Sequence, residues 1–226
     1  MTLSRRLTAE TIGTAFLLAV VVGSGIMAER LAGGNVAIAL LANALATGAG
    51  LVALILMICT ISGAQFNPVV NLSQAWQKNM PANEVLPYIL AQLFGAFAGV
   101  ALAHFMFGEP VFFASVHVRT GIAQWGSEFI ATFGLLAVII SCSRSRPSIT
   151  PFAVALYIVA AYWFTSSTSF ANPAVTLARA ATNTFAGIRP IDTIGFIIAQ
   201  IMGASCATLL FCWLYPTNKP DACVLQ

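Results

Sequence analysis

The chain has 226 residues, of which 59% are hydrophobic and 8% are charged, and its formal net charge is +3. Soluble domains carry about 25% charged residues, whereas no Asp, Glu, Lys or Arg occurs here from Leu31 to Gln77. This composition excludes a water-soluble globular domain and predicts an all-α integral membrane protein, with the lipid bilayer as its surroundings. The small net charge is spread along the chain, which argues against nucleic acid as a partner.

Six apolar stretches are long enough to cross a bilayer, which takes roughly 20 helical residues. They cover residues of about 8–28, 36–61, 85–107, 122–142, 149–170 and 191–215. The first stretch follows two arginines and could be mistaken for a signal peptide. No clear small-residue cleavage site follows it, so we expect an uncleaved first span.

Two further apolar segments, at about 67–77 and 172–183, are too short to span. Helices of this length reach about 16–18 Å, which is half of the membrane. Each opens on an Asn-Pro pair, and Asn before Pro is a strong helix-starting signal because Asn caps the helix and Pro fits its first position. The two motifs are Asn67-Pro68-Val69 and Asn172-Pro173-Ala174. We therefore predict two half-helices that enter the membrane and stop.

The chain also contains an internal repeat. Residues 8–20, TAETIGTAFLLAV, are similar to residues 126–138, GSEFIATFGLLAV, so that Glu10 matches Glu128. The Asn-Pro motifs recur at matching places, and so does a Gln-x-x-Gly-Ala pattern that begins at Gln92 and at Gln200.

Each repeat, at about 8–107 and about 122–215, contains three spans and one half-helix. Three is an odd number, so the second copy is inverted in the membrane, and such repeats place their binding site at the midplane. We expect the half-helices to meet there from opposite sides, within a single channel domain that covers residues 1–226.

The basic residues give a weak orientation signal. With the N-terminus inside, six of them fall on the cytoplasmic side, namely Arg5, Arg6, Lys78, Arg144, Arg146 and Lys219. Four fall outside or in the outer half, namely Arg30, Arg119, Arg179 and Arg189. This excess predicts that both termini are cytoplasmic.

Two helix N-termini that meet at mid-membrane would each carry about half a positive charge, beside the amide donors of Asn67 and Asn172. Such a point favours neutral polar solutes and disfavours cations and protons. A purely structural pair of capped helices is the alternative. Irregular backbone at this depth, however, is tolerated only inside protein or along a watery cavity.

These motifs together resemble the aquaporin family, also called the major intrinsic proteins, over essentially the whole chain. The resemblance rests on the two Asn-Pro boxes, the spans that begin at Glu10 and Glu128, and the Ser62-Gly63-Ala64 lead-in. It implies a bundle of six transmembrane helices with two re-entrant half-helices, and a homotetramer with one pore per subunit. It also implies that Glu10 and Glu128 brace the half-helix loops by accepting hydrogen bonds; proton relay is the alternative for these carboxylates.

Two positions depart from the family pattern. The first box reads Asn-Pro-Val and follows Gln65, where many relatives have His. Val175 directly follows the second box, where most of the family has the arginine of a narrow outer filter. Carrying the family's filter over by spacing from the boxes assigns it to four residues, none of them charged, large or aromatic: Thr47, Ala160, Ser169 and Val175. The resemblance therefore implies a wide opening.

Arg179 lies four residues after Val175, on the same face of the second half-helix and about one turn farther out. Its side chain leans back toward the helix N-terminus. Two interpretations stay open, a cation in the outer vestibule and a residue that snorkels or pairs structurally.

We expect a passive channel for small neutral solutes in a bacterial inner membrane, with metalloid hydroxides such as arsenous acid or glycerol-like polyols as substrates and with accompanying water. Around Ser-Phe-Ala-Asn-Pro-Ala-Val, the chain resembles a bacterial branch of the family that lacks the filter arginine. That branch is associated with arsenic handling. The alternatives are a channel mainly for water and a non-conducting junction protein. His104 and His117 form no catalytic or metal-binding pattern, so we expect no enzyme, no cofactor and no bound metal.

Overall fold

The computed structural model describes residues 1–215 and contains eight α-helices within that range, with no β-strand. They are α1 (Leu3–Leu31), α2 (Val36–Ser62), α3 (Pro68–Trp76), α4 (Ala82–Phe107), α5 (Ile122–Ser145), α6 (Thr150–Phe164), α7 (Pro173–Arg179) and α8 (Thr193–Leu214). Single turns of 3-10 helix, Pro147–Ile149 and Pro190–Asp192, lead into α6 and α8. Lys219, assigned to the cytoplasmic side from sequence, lies outside the described residues.

Six helical segments are long and apolar enough to cross a membrane, and α3 and α7 are short. This confirms the predicted all-α fold of six spans and two half-helices. The first span is longer than predicted because the Thr2 hydroxyl caps α1, accepting a hydrogen bond from the Arg5 backbone N–H.

The prediction of a fifth span to residue 170 was wrong, because α6 ends at Phe164. The next residues approach α7 with left-handed backbone at Thr168, Ser169 and Ala171, which a helix cannot contain. The hydropathy of the sequence did not reveal the end of α6, because the segment between α6 and α7 still contains apolar residues.

The second half-helix was predicted to reach residue 183, but α7 ends at Arg179. The carbonyls of Ala180 and Ala181 turn away from the helix and accept hydrogen bonds from the backbone N–H groups of Ser115 and Phe113 at 3.0 and 3.1 Å. The loop between α4 and α5 is thereby attached to the end of α7.

The two repeats pack in the same way. Helix α1 lies against α4, and α5 lies against α8. A β-carbon at Gly95 of α4 would overlap the carbonyl oxygen of Thr11, and one at Gly203 of α8 would overlap that of Phe129. These glycines therefore allow close helix contact at equivalent points of the two halves.

Basic side chains form polar contacts at both ends of the bundle. At one end Arg6 pairs with Glu84 at 2.6 Å, and Arg144 donates to the Gln77 side chain at 2.7 Å. At the other end Arg30 pairs with Glu109 at 2.7 Å. The chain therefore presents two separate polar faces with the apolar bundle between them.

Candidate pore and selectivity site

Asn67 and Asn172 cap the two half-helices. The Asn67 side-chain oxygen accepts a hydrogen bond from the Val69 backbone N–H at 3.1 Å. Asn172 accepts from the N–H groups of Ala174 and Val175 at 3.0 and 3.3 Å. Pro68 and Pro173 occupy the first helical positions, as the Asn-Pro pattern predicts.

The side-chain amides of the two asparagines cross to the opposite loop. Nδ2 of Asn67 donates to the Ala171 carbonyl at 2.8 Å, and Nδ2 of Asn172 donates to the Phe66 carbonyl at 2.7 Å. The tips of α3 and α7 therefore meet inside the bundle. An amide nitrogen carries two N–H donors, so each asparagine keeps one donor that can face the space between the tips.

Both loops that lead into the half-helices have unusual backbone conformations. Ala64 and Phe66 have φ angles of 49° and 50°, and Ser169 and Ala171, their counterparts in the second repeat, have φ angles of 50° and 48°. Left-handed backbone at residues other than glycine costs on the order of 1–3 kcal/mol each and persists only where the surroundings enforce it.

Buried carboxylates enforce these conformations. Glu10 accepts hydrogen bonds from the backbone N–H groups of Gln65 and Phe66 at 2.9 and 2.8 Å, and from the Ser62 hydroxyl at 2.6 Å. The Gln92 side chain donates to the same carboxylate at 2.8 Å. Glu10 is 0% exposed, so these donors replace the water that the carboxylate has lost.

Glu128 repeats the arrangement in the second half. It accepts from the backbone N–H groups of Phe170 and Ala171 at 2.8 and 2.9 Å, and from the Gln200 side chain at 2.6 Å. The matched glutamates and glutamines, which sequence analysis paired as repeats, lie in matched positions beside the two loops.

A cavity of about 160 Å³ passes both asparagines and reaches from Pro147 at one end to Arg179 at the other. Its walls are mostly apolar side chains of α2, α5 and α6, for example Leu51, Leu135 and Ile158. Polar groups occur at intervals along it, including the Ser169 hydroxyl, which has no hydrogen-bond partner within residues 1–215. The space suits small solutes that need a few hydrogen bonds.

Three of the four expected filter residues, Thr47, Ser169 and Val175, line this cavity. Ala160 does not fit its expected place, because it is exposed on the outer face of α6. Tyr162 lines the cavity instead, and its hydroxyl lies 3.4 Å from the Thr47 hydroxyl.

The helical period explains why Tyr162 faces the cavity and Ala160 does not. Val154, Ile158 and Tyr162 are spaced by four residues and all line the cavity, so they share one face of α6. A count of twelve residues back from Asn172 assumes a continuous helix and lands on the opposite face. The apolar period of α6 was the signal that could have located Tyr162.

Arg179 lines the cavity together with Val175 and is 2% exposed. Its guanidinium carbon lies 3.3 Å from the centroid of the Phe170 ring, and its Nε donates to the Ala186 carbonyl. Sequence reasoning did not identify Phe170, an apolar residue beside the box, as the support for this cation.

Arg119, from the loop between α4 and α5, lies 5.2 Å from the centroid of the Phe170 ring. Its side chain donates to the carbonyls of Gly187 and Ser167 at 2.8 and 3.3 Å. Burial lowers the pKa of Arg119, and the Glu128 carboxylate opposes that effect. Arg119 ties together the segments that surround the outer end of the cavity.

The cavity lining offers hydrogen-bonding groups to whatever occupies it. No group of three or more His, Cys, Asp or Glu side chains in the described part of the chain is arranged to hold a metal ion. The polar groups along the cavity include amides, hydroxyls and the Arg179 guanidinium, spaced between apolar walls.

The model of the major intrinsic protein family matches residues 1–162. The chain is 52% identical over 218 residues to aquaglyceroporin AqpS of Rhizobium meliloti (strain 1021), covering 96% of this chain and 93% of the relative. It is 30% identical over 240 residues to aquaporin AqpM of Methanothermobacter marburgensis, covering 90% and 96% of the two chains.

Among solved structures, the fold is similar to that of the aquaglyceroporin from Plasmodium falciparum. The TM-score is 0.68 at 20% identity, over 96% of this chain and 97% of the other. The extent of the family match and the 52% identical relative establish that the chain belongs to the major intrinsic protein family.

Proposed function

We propose that the chain is a passive channel for small neutral solutes larger than water, of the metalloid hydroxide class exemplified by arsenous acid and of the glycerol class, with water passing as well. Membership of the major intrinsic protein family makes it an integral membrane channel protein and not an enzyme.

The observation that carries the proposal is Val175 in the wall of the cavity directly after the second box. An arginine there would place a long charged side chain across the opening. Valine leaves that space to the solute and offers only methyl groups. A solute larger than water therefore has more room at position 175 than it would beside an arginine. It also passes this position without contacting a fixed charge there.

The outer end of the cavity has two kinds of surface. Thr47 and Ser169 contribute hydroxyls, and Val175 and the ring of Tyr162 contribute apolar area. Glycerol and arsenous acid are compact, neutral and multiply hydroxylated, so both can form hydrogen bonds with hydroxyl groups while their bulk contacts apolar wall. The relative named an aquaglyceroporin supports the same solute size class.

Two other functions are the alternatives to this proposal. A channel mainly for water would need a constriction about one water wide, which the small, uncharged residue at position 175 does not favour. A non-conducting junction protein would not need a cavity of about 160 Å³ that passes both buried asparagines.

For assembly and location, we propose a homotetramer with one pore per subunit in a bacterial inner membrane, with both termini cytoplasmic. The excess of basic residues at the end that contains Arg6 and Arg144 supports this orientation. Apolar side chains exposed along α1 and α6, among them Phe16 and Leu156, give the subunit surface that lipid or neighbouring subunits cover.

The experiment is uptake of arsenous acid and of glycerol into proteoliposomes that contain the purified chain, with empty liposomes as the background. Both solutes should enter well above background and in proportion to the protein content. Fast water exchange with both solutes at background would contradict the proposal and favour a water channel. Background rates for water and for both solutes would favour the junction protein.

A further inference from the structure

Arg179 is a buried cation that forms no ion pair with an acidic side chain among the described residues. Three ion pairs occur within residues 1–215, and none of them includes Arg179. An unpaired charge at depth carries a large free-energy cost, and an ionisable residue at such a place commonly marks a transport pathway.

The structure supports this cation in a fixed position. The face of Phe170 lies 3.3 Å below the guanidinium carbon, and aromatic faces attract cations, most strongly where water is excluded. Nε is bound to the Ala186 carbonyl. The two terminal nitrogens make no hydrogen bond to another part of residues 1–215, although the residue lines the cavity, so their donors are free for a solute.

The half-helices alone provide a weaker positive field. Helix α7 has seven residues, and even a long helix contributes only about half a charge at its N-terminus. A full guanidinium charge that lines the same cavity therefore contributes more positive potential at its outer end than the helix N-termini do. Cations and protons are excluded from such pores by an arginine or by helix ends.

We infer that Arg179 is the selectivity residue that excludes cations from this channel and offers hydrogen-bond donors to solute oxygens, one helical turn outside Val175. The inference rests on the proposed function, since it assigns a role along the same solute path. Different residues then admit bulky neutral solutes and exclude cations. The charge lies beyond the ring of Thr47, Tyr162 and Val175, so that ring can admit bulky neutral solutes while cations are still repelled.

The test compares variants in proteoliposomes by potassium flux, divided by water permeability measured on the same preparation. Arg179→Met removes the charge and keeps a long apolar side chain over Phe170, and Arg179→Lys keeps the charge. Arg30→Met is the matched control, because Arg30 lies at the same end of the bundle, paired with Glu109, away from the cavity lining.

We expect Arg179→Met to raise the normalised potassium flux at least tenfold and Arg179→Lys to remain within about twofold of the wild type. Adding Val175→Arg to Arg179→Met should restore exclusion, since a guanidinium returns to the path. Arg30→Met should match the wild type. Potassium flux at the wild-type level in folded Arg179→Met would overturn the inference.

Arg179→Met could fail to fold, since it loses the bond to Ala186. Arg179→Lys then provides the test, because a lysine side chain loses its charge as the pH rises toward its reference pKa of about 10.4, whereas an arginine guanidinium keeps its charge in proteins. Potassium flux through Arg179→Lys should rise with pH, and the wild-type flux should stay flat. Equal, flat profiles would overturn the inference.

These outcomes are distinct from those of the proposed function. A channel that conducts glycerol and arsenous acid, but whose cation leak does not respond to Arg179, contradicts this inference alone. A channel that excludes both solutes but leaks potassium in Arg179→Met contradicts only the proposed solute class. A wild-type chain that passes neither water nor solute contradicts both.

Discussion

Asn67 and Asn172 each hold the loop that carries the other. Nδ2 of Asn67 donates to the Ala171 carbonyl at 2.8 Å, and Nδ2 of Asn172 donates to the Phe66 carbonyl at 2.7 Å. Each asparagine also caps its own half-helix. The two inverted repeats are therefore joined at their tips by a reciprocal pair of hydrogen bonds, and this joint lies on the wall of the cavity.

Replacing either asparagine with alanine should destabilise the protein. Asn67→Ala removes a helix cap and one crossing hydrogen bond, together worth about 1–3 kcal/mol. Asn172→Ala removes the equivalent pair. Because each crossing bond depends on the opposite loop staying in place, the double variant should lose less than the sum of the two single losses. SDS titration in mixed micelles measures the free energy of unfolding, and strictly additive losses would contradict the reciprocal joint.

Glu10→Gln should reduce stability far more than a carboxylate change elsewhere on α1. Four donors face the Glu10 carboxylate, and glutamine would place an N–H group against at least one of them. We expect a loss of about 3 kcal/mol in the free energy of unfolding. The control is Glu29→Gln, since Glu29 is exposed near the end of the same helix. Equal effects of the two substitutions would mean that the carboxylate does not organise the loop.

Tyr162→Ala should widen the outer end of the cavity and raise glycerol flux relative to water flux. The expected increase is severalfold, because a ring that lines the cavity is removed. Ala160→Leu is the comparison, since Ala160 lies on the exposed face of α6. Stopped-flow light scattering gives both fluxes. The assignment of Tyr162 fails if Ala160→Leu changes solute flux and Tyr162→Ala does not.

Val175→Arg should narrow the path and lower the flux of glycerol and arsenous acid well before it lowers that of water. Val175→Leu separates size from charge, because it adds bulk without a guanidinium. We expect a reduction of tenfold or more in solute flux for Val175→Arg and a smaller one for Val175→Leu. Wild-type solute flux in Val175→Arg would remove position 175 from the filter.

Much of the fold was predictable because its signals are local. Six long apolar stretches and two Asn-Pro pairs each reflect the physics of a single helix, and the matched pair Glu10 and Glu128 revealed the repeat. The helix ends at Phe164 and Arg179 were not predictable in this way. They depend on tertiary partners, namely the buried carboxylate of Glu128 and the loop that contains Phe113 and Ser115.

The candidate site was less predictable than the fold. Ser169 and Val175, which were assigned from short spacings next to the second box, line the cavity, because short spacings carry no accumulated error. Ala160 was misplaced because the count crossed the irregular segment before Asn172. The support of Arg179 by Phe170 could not be inferred at all, since it depends on left-handed backbone at Ser169 and Ala171.

The most direct measurement is the stopped-flow response of proteoliposomes to an inward glycerol gradient. The account predicts rapid shrinkage as water leaves, followed by protein-dependent reswelling as glycerol enters through a path past Val175. Shrinkage without reswelling faster than that of empty liposomes would contradict it.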